Sequence, residues 1–89
     1  MSKFKKIERV VTREVPHYWA EGRPARNGTG QYSTDGKLLY SYDLLVGDTC
    51  KNTGIKVLRD YSAQGRHGFQ SMTTSKHIGY ARPHADLVD

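Results

Sequence analysis

The pattern of apolar and polar residues is most regular over residues 31–46, and this segment predicts the centre of the fold. Asp35-Gly36 indicates a β-hairpin, because a two-residue type I′ turn needs positive φ and glycine supplies it at little cost. Residues 31–34 predict a short strand before the turn, and residues 38–46 predict a long one after it. A period of two puts Leu38, Tyr40, Tyr42, Leu44 and Val46 on one face of the long strand and Leu39, Ser41, Asp43 and Leu45 on the other. Both faces are largely apolar, which is typical of a central strand.

The chain before this segment predicts shorter elements. Residues 6–12 are rich in β-branched side chains and favour a short strand, although the spacing of Phe4, Ile7, Val10 and Val11 also suits a helical turn. Pro16 suits the first turn of a helix, so we expect a helical turn from Pro16 through Ala20, with Trp19 as an anchor of the core. Residues 21–30 contain three glycines, a proline and an Asn-Gly pair, and therefore predict a loop.

Two more strands are expected after the central one. Residues 55–59 predict a strand that returns antiparallel to it, with Ile55 and Val57 facing inward. Residues 69–73 alternate in the same way and predict the last strand.

The C-terminal part predicts a helix and, at its start, an anion site. A hydroxyl group within Thr73–Ser75 is expected to cap a helix over residues 76–82. The free N–H groups at a helix start suit a phosphate, and Thr74, Ser75 and Lys76 would add donors and a positive charge. The same residues equally suit a helix cap that binds nothing.

These elements together predict an α+β fold. We expect a small antiparallel sheet of four to five short strands, with a C-terminal helix and a short helical turn near Trp19. Residues 1–89 would form a single small domain, in which residues 1–5 are a disordered basic arm and residues 84–89 a tail.

Charge adds one functional indication. The chain carries 14 Lys and Arg residues against 9 Asp and Glu residues, which gives a net charge of +5 and a pI of about 9.5. A basic surface favours an acidic partner, and nucleic acid is the commonest. A soluble basic domain without such a partner is the alternative.

Cysteine and hydropathy patterns predict the compartment. Cys50 is the single cysteine, so no internal disulfide can form and a reducing compartment fits. No run of 18 apolar residues and no apolar segment typical of a signal peptide is present, so we expect a cytoplasmic protein without a membrane partner. Cys50 and the histidines lack the spacing of a zinc site, and no metal or other cofactor is expected.

Several short motifs resemble those of a family of small uncharacterised proteins, many of them encoded by phages. In chain order, over residues 14–82, the motifs are HYWA at 17–20, ARN at 25–27, YS at 32–33, LYSY at 39–42 and SMTTSKHI at 71–78. The family pattern has a glycine where this chain has Asp43, and Tyr-Ser before the threonine pair where this chain has Phe69–Met72. The resemblance implies a shared fold and a phage origin, hence the host cytoplasm, but it implies no activity.

Three functions are compatible with these observations. The leading hypothesis is non-catalytic binding of nucleic acid through its backbone phosphates. Its candidate contacts are Arg23, Arg26, Lys76 and Arg82, with Tyr40 and Tyr42 as stacking surfaces and the helix-start residues Thr74 and Ser75. The alternative is a protein–protein interaction module that inhibits or modulates a host protein. The third is a metal-free ribonuclease with His17 and His77 as general acid and base, against a purely structural role for both. The oligomeric state stays open.

Overall fold

A computed structural model describes residues 7–62 and 65–89, and these residues form two α-helices and a seven-stranded sheet. The α+β class is therefore confirmed. The strands are β1 Glu8–Arg9, β2 Ala25–Arg26, β3 Tyr32–Thr34, β4 Leu39–Ser41, β5 Leu44–Thr49, β6 Lys56–Leu58 and β7 Leu87–Val88. The helices are α1 Val15–Ala20 and α2 Met72–Ala81, and each adjoins a 3-10 turn, Thr12–Glu14 before α1 and Arg82–His84 after α2. The predicted basic arm, residues 1–5, lies outside the described residues.

The sheet has more strands than the four to five predicted, because both edges carry two-residue strands. The spatial order follows the chain from β1 to β7, and β2 through β6 pair antiparallel. β1 is parallel to β2 across α1, and β7 is parallel to β6 across α2. A parallel pair needs such a crossover connection. β2 lies in the predicted loop and β7 in the predicted tail, because two residues are too few to show an alternation.

The predicted long strand 38–46 is in fact a hairpin of β4 and β5. Ser41 pairs with Leu44, so Tyr42 and Asp43 form the turn. Tyr42 has a φ of 56°, a conformation that bulky L-residues rarely adopt, and its N–H donates to the Gln31 carbonyl oxygen at 2.6 Å. The turn contains neither glycine nor proline, so the alternation of residues 38–46 predicts one continuous strand.

The predicted hairpin at Asp35-Gly36 is present, with a longer connection than expected. Thr34 pairs with Leu39, which leaves residues 35–38 in the turn, and Gly36 has a φ of 102°. Asp35 Oδ1 accepts hydrogen bonds from two backbone N–H groups of the same turn, at 2.9 and 2.8 Å. Hydrogen bonds to the aspartate side chain therefore stabilise a four-residue turn where a two-residue turn was expected.

The core lies between the two helices and the sheet. Its buried residues are Val15, Trp19, Tyr32, Leu39, Val46, Leu58, Ile78 and Ala81. Trp19 is fully buried, as predicted, and its Nε1–H donates to the Lys37 carbonyl oxygen at 3.0 Å. The indole lies on Gly47, where a Cβ would stand 2.8 Å from Trp19 Cζ2 and 2.8 Å from Leu39 Cβ. A glycine at this position is thus what lets the tryptophan reach the sheet.

The predicted faces of the strand at 55–59 are reversed. Lys56 and Leu58 are buried, whereas Ile55 precedes β6 and is exposed and Val57 is half-buried. The Lys56 ammonium is enclosed but satisfied, because it donates to Thr49 Oγ1 at 2.8 Å and to a hairpin carbonyl at 3.1 Å. Burial lowers the pKa of this amine. A lysine with a satisfied head and an apolar stem can occupy a core position, and hydropathy does not predict this.

The predicted strand at 69–73 is absent, because α2 begins at Met72. Ser71 is extended, with φ of −164° and ψ of 164°, and its Oγ accepts from the Thr74 N–H at 3.1 Å. This is an ordinary serine N-cap, placed earlier in the chain than expected. Phe69 has no sheet partner and is 50% exposed.

Two glycine-to-alanine variants should separate the core contact from helix propensity. Gly47→Ala should lower the free energy of unfolding by about 1–3 kcal/mol, because the new methyl group overlaps Trp19 and Leu39. Gly79→Ala lies in α2 with no atom within 4 Å of the new Cβ, so it should stabilise the protein by about 0.5–1 kcal/mol. Urea unfolding measures both, and equal effects of the two variants would contradict the assigned Trp19–Gly47 contact.

Candidate functional site

A polar groove of about 300 Å³ lies between α2 and the loop that joins β2 to β3. Its lining residues are Thr12, Asn27, Thr29, Gln31, Thr73, Lys76, His77 and Tyr80. None of these described lining residues is acidic, and Lys76 is the cation among them. A concave surface with donors and one sign of charge attracts an anion.

One wall of the groove is a face of α2. Thr73, Lys76 and Tyr80 follow one another at spacings of three and four, so their side chains lie along one face of the helix. Lys76 is exposed and forms no ion pair with a described residue. It lies beyond the first helical turn, because Ser71 is the N-cap. Lys76 therefore lies on the flank of α2 and not at its start, where the sequence predicts an anion site.

The other wall is held in shape by Asn27. Its Nδ2 donates to Thr12 Oγ1 at 3.1 Å, and its Oδ1 accepts from the Tyr32 N–H at 3.2 Å and the Thr29 hydroxyl at 3.3 Å. The buried amide thus ties the loop to β3 and to the 3-10 turn. Because Thr12 Oγ1 accepts this bond, its own hydrogen is available to a ligand.

Two arginines border the same loop. Arg9 and Arg26 are partners in the β1–β2 register, which brings their side chains to one sheet edge. Arg9 Nη2 lies 3.3 Å from the position that a Cβ on Gly28 would take. Arg26 Nη1 donates to the Asn27 carbonyl oxygen at 3.2 Å. Sequence reasoning selected Arg26 but missed Arg9, whose place depends on the short parallel pairing of β1.

His77 lies at the floor of the groove, with 2% of its surface exposed. Its ring stacks on the Tyr32 ring at a centroid distance of 4.0 Å and an interplanar angle of 2°. Nδ1 is 2.7 Å from Ser41 Oγ, which is 3.0 Å from Thr74 Oγ1. Burial lowers the pKa of His77 to about 4, so the ring is neutral at pH 7.

Two of the predicted arginine contacts are engaged elsewhere. Arg23 Nη2 is 2.8 Å from Glu8 Oε1, and its guanidinium stacks on the Tyr18 ring at 4.6 Å. Arg82 Nη2 is 2.7 Å from Asp60 Oδ2. Both charges are locally balanced, and neither residue lines the groove.

The remaining predicted residues are divided between surface and interior. Tyr40 is half-buried and points away from the core-facing neighbours of β4, whereas Tyr42 is 46% exposed and its ring lies 6.3 Å from His77. Thr74 is buried and bonded to Ser41. Ser75 Oγ is enclosed and has no partner among the described residues. Of these predicted residues and the two arginines above, none lines the groove; Lys76 does, and Tyr42 lies near it.

The two histidines proposed for ribonuclease chemistry have separate surroundings. His17 is exposed, lies 3.5 Å from Glu21 and contacts the His84 ring at a centroid distance of 5.7 Å. His77 contacts Tyr32 and Tyr42 instead. No ring contact joins the two within the described part of the chain.

A second pocket, of about 490 Å³, lies near the free and exposed Cys50. It is lined by Asp35, Lys37, Leu38, Asp48, Thr49, Cys50, Lys51 and Gly54. A hydrogen bond from the Thr53 side chain and nearby N–H groups lower the pKa of the Cys50 thiol. The mixed charges give this pocket no preference for an anion. Nowhere in residues 7–62 and 65–89 do three His, Cys, Asp or Glu residues come together as metal ligands.

Comparison of the chain with protein-family models, curated proteins and solved structures finds no match. The resemblance to phage-encoded proteins therefore stays a hypothesis. Among the described residues, no helix is both long and apolar enough to cross a membrane.

The buried imidazole predicts a pH dependence of stability. The folded-state pKa of His77, about 4, lies below its ordinary value of 6.5, so between these pH values the unfolded chain binds a proton that the folded protein does not. The contribution of neutral His77 to the free energy of unfolding should be fully present above pH 6.5. This free energy should fall by on the order of 2–3 kcal/mol as the pH approaches 4. Urea unfolding of wild type and His77→Gln at pH 7 and 4.5 measures this, because the glutamine does not titrate. An equal loss in both proteins would contradict the assignment.

Proposed function

We propose that this protein binds nucleic acid without catalysis, through backbone phosphates held in the polar groove. The observation that carries the proposal is the composition of the groove: Lys76 is unpaired among the described residues, hydroxyl donors surround it, and no described lining residue is acidic. A phosphodiester is an anion with several acceptor oxygens, which matches this set of donors. The net charge of +5 supports the same partner.

The contacts follow from the two walls. Lys76 supplies the charge, and the hydroxyl groups of Thr73 and Thr12 supply neutral hydrogen bonds on opposite sides. Arg9 and Arg26 border the loop and can bind the next phosphates along a strand. Phosphate contacts of this kind position a nucleic acid and read no sequence, so we expect binding with little base specificity.

Aromatic rings near the groove favour stacking with bases. Tyr80 lines the groove, and the exposed Tyr42 ring lies beside His77 on its floor. Exposed rings next to a basic groove are typical of proteins that bind single strands. Tyr40, half-buried between strands, is the weaker candidate.

The ribonuclease hypothesis has less support. A general acid in this reaction must carry a proton that it can give up near neutral pH, and burial keeps the His77 imidazole neutral. His17, the second member of the pair, contacts Glu21 and His84 instead. We therefore propose binding without catalysis. A phage origin and action in the host cytoplasm remain part of the proposal.

A protein partner is the second candidate, and one surface favours it. Met72 is 70% exposed and Phe69 is 50% exposed at the start of α2. Exposed Met and Phe side chains are enriched where proteins bind each other. Affinity purification with and without nuclease treatment distinguishes the candidates, because a protein partner stays bound after nuclease and a nucleic acid does not.

A charge reversal at Lys76 tests the groove. Lys76→Glu should weaken binding of a labelled oligonucleotide by about tenfold or more at low salt, because an attractive charge becomes repulsive inside the groove. Lys51→Glu is the matched control, since it changes the net charge equally on an exposed lysine of the other pocket. Fluorescence anisotropy over a salt series measures both.

Three outcomes decide the proposal. Wild-type affinity should fall log-linearly with salt, with a slope shallower by about 1 for Lys76→Ala. Equal losses in Lys76→Glu and Lys51→Glu would show that net charge alone binds, without the groove. No wild-type binding at about 50 mM salt would reject nucleic acid as the partner.

A further inference from the structure

The hydrogen bonds behind the groove floor determine which nitrogen of His77 carries the proton. Thr74 Oγ1, Ser41 Oγ and His77 Nδ1 form a continuous chain, with distances of 3.0 and 2.7 Å. Ser41 is fully buried, and Thr74 and His77 are nearly so. These hydroxyl groups therefore cannot donate to solvent water, and each needs a hydrogen-bond acceptor within the protein.

Only one direction of this chain uses every hydroxyl hydrogen. If Thr74 donates to Ser41, and Ser41 donates to Nδ1, both hydroxyl groups are satisfied and Nδ1 is the acceptor. If Nδ1–H donates to Ser41 instead, either the Ser41 or the Thr74 hydrogen is left without an acceptor among the described residues. An enclosed donor without a partner loses its hydrogen bond to water and gains none in return, so the first direction is favoured.

With Nδ1 as acceptor, the proton of the neutral imidazole lies on Nε2. This atom has no hydrogen-bond partner within residues 7–62 and 65–89. It is also not fully enclosed, because the one enclosed side-chain polar atom without a partner in this part of the chain is Ser75 Oγ. Since His77 lines the groove, the opening to Nε2 is the groove itself.

We propose that His77 serves the groove as a neutral Nε2–H donor, oriented by the Thr74–Ser41 hydroxyl chain, and that this donor binds a phosphate oxygen. The inference rests on the proposed function, whose ligand it describes more closely. The groove then offers the anion Lys76 from the helix and His77 from the floor. Ser41 and Thr74 are positioning residues, because they act on the ligand only through the imidazole.

A neutral donor at the floor also restricts the ligand. An N–H group rejects cations and other donors, and it needs an acceptor that can reach the floor between Thr73 and Thr12. A non-bridging phosphate oxygen projects from the nucleic-acid backbone and meets this requirement, whereas a base edge inside a duplex does not. The neutral His77 ring already carries the Nε2–H group at neutral pH, so binding does not require the ring to take up a proton.

Histidine ring NMR tests the assignment directly in the wild-type protein. Long-range proton–nitrogen spectra at pH 7 should show His77 protonated at Nε2 and not at Nδ1. Addition of a short oligothymidylate should then shift the His77 Nε2 resonance, and exposed His17 serves as the internal reference. A protonated Nδ1, an imidazolium, or an Nε2 resonance that does not respond while the oligonucleotide binds would overturn the inference.

Two variants test the same donor by affinity. His77→Gln places an amide N–H near the position of Nε2 and should bind within a few-fold of wild type. His77→Phe keeps a ring to stack on Tyr32 but has no donor, and should bind about tenfold or more weakly. Equal affinities would overturn the inference. A thermal melt shows whether each variant is folded. If either variant is unfolded, the NMR experiment on the wild-type protein is the test of the inference.

The failures of the two proposals are distinguishable. If wild type binds no oligonucleotide, the proposed function fails, and inorganic phosphate becomes the probe for the ring spectra. A shift of Nε2 with phosphate would then support the donor as an anion contact without nucleic acid, and no shift would reject it. If the oligonucleotide binds and Lys76→Glu weakens it while the His77 resonances stay fixed, the groove proposal survives and this inference fails.

Discussion

The structure depends most on the contact that holds α2 to the sheet. The Tyr32 hydroxyl donates to the His77 carbonyl oxygen at 2.7 Å, the two rings stack, and the His77 ring meets Ser41 of β4. These buried bonds fix both the distance and the rotation of the helix, which apolar contacts alone define less sharply. The groove is the space left between this helix and the Asn27 loop, so its shape follows from the same contact.

Local charge balance decides which cations remain for a partner. Arg23 and Arg82 are each within 3 Å of a carboxylate oxygen, whereas Lys76, Arg9 and Arg26 surround a wall without described acidic residues. The net charge of +5 therefore does not show where on the surface the unpaired cations lie. The proposed anion site depends on the charge of Lys76 lying beside the hydroxyl groups and the imidazole of the groove, where a single anion could contact all of them.

Sequence patterns singled out several residues that the structure places in or beside the groove. Lys76, Arg26 and His77 were selected because a basic or titratable side chain keeps its chemistry wherever it lies. The sequence does not mark Arg9, Asn27 and Ser41 as site residues, because each contacts the rest of the groove through a partner 15 or more residues away. The helix start was placed too late because Thr73, Thr74 and Ser71 all offer a capping hydroxyl, and only the geometry chooses among them.

The sequence by itself determined the α+β class, the helical turn after Pro16, the burial of Trp19 and the hairpin at Asp35-Gly36. Each follows from a backbone preference or from the size of an apolar side chain, and the local sequence shows both directly. The tertiary structure alone decided the turn at Tyr42, the inward Lys56, the edge strands and the meeting of Thr74, Ser41 and His77. Each of these features is unfavourable by itself and is stabilised only by contacts with residues far along the chain. No local sequence pattern therefore predicts them.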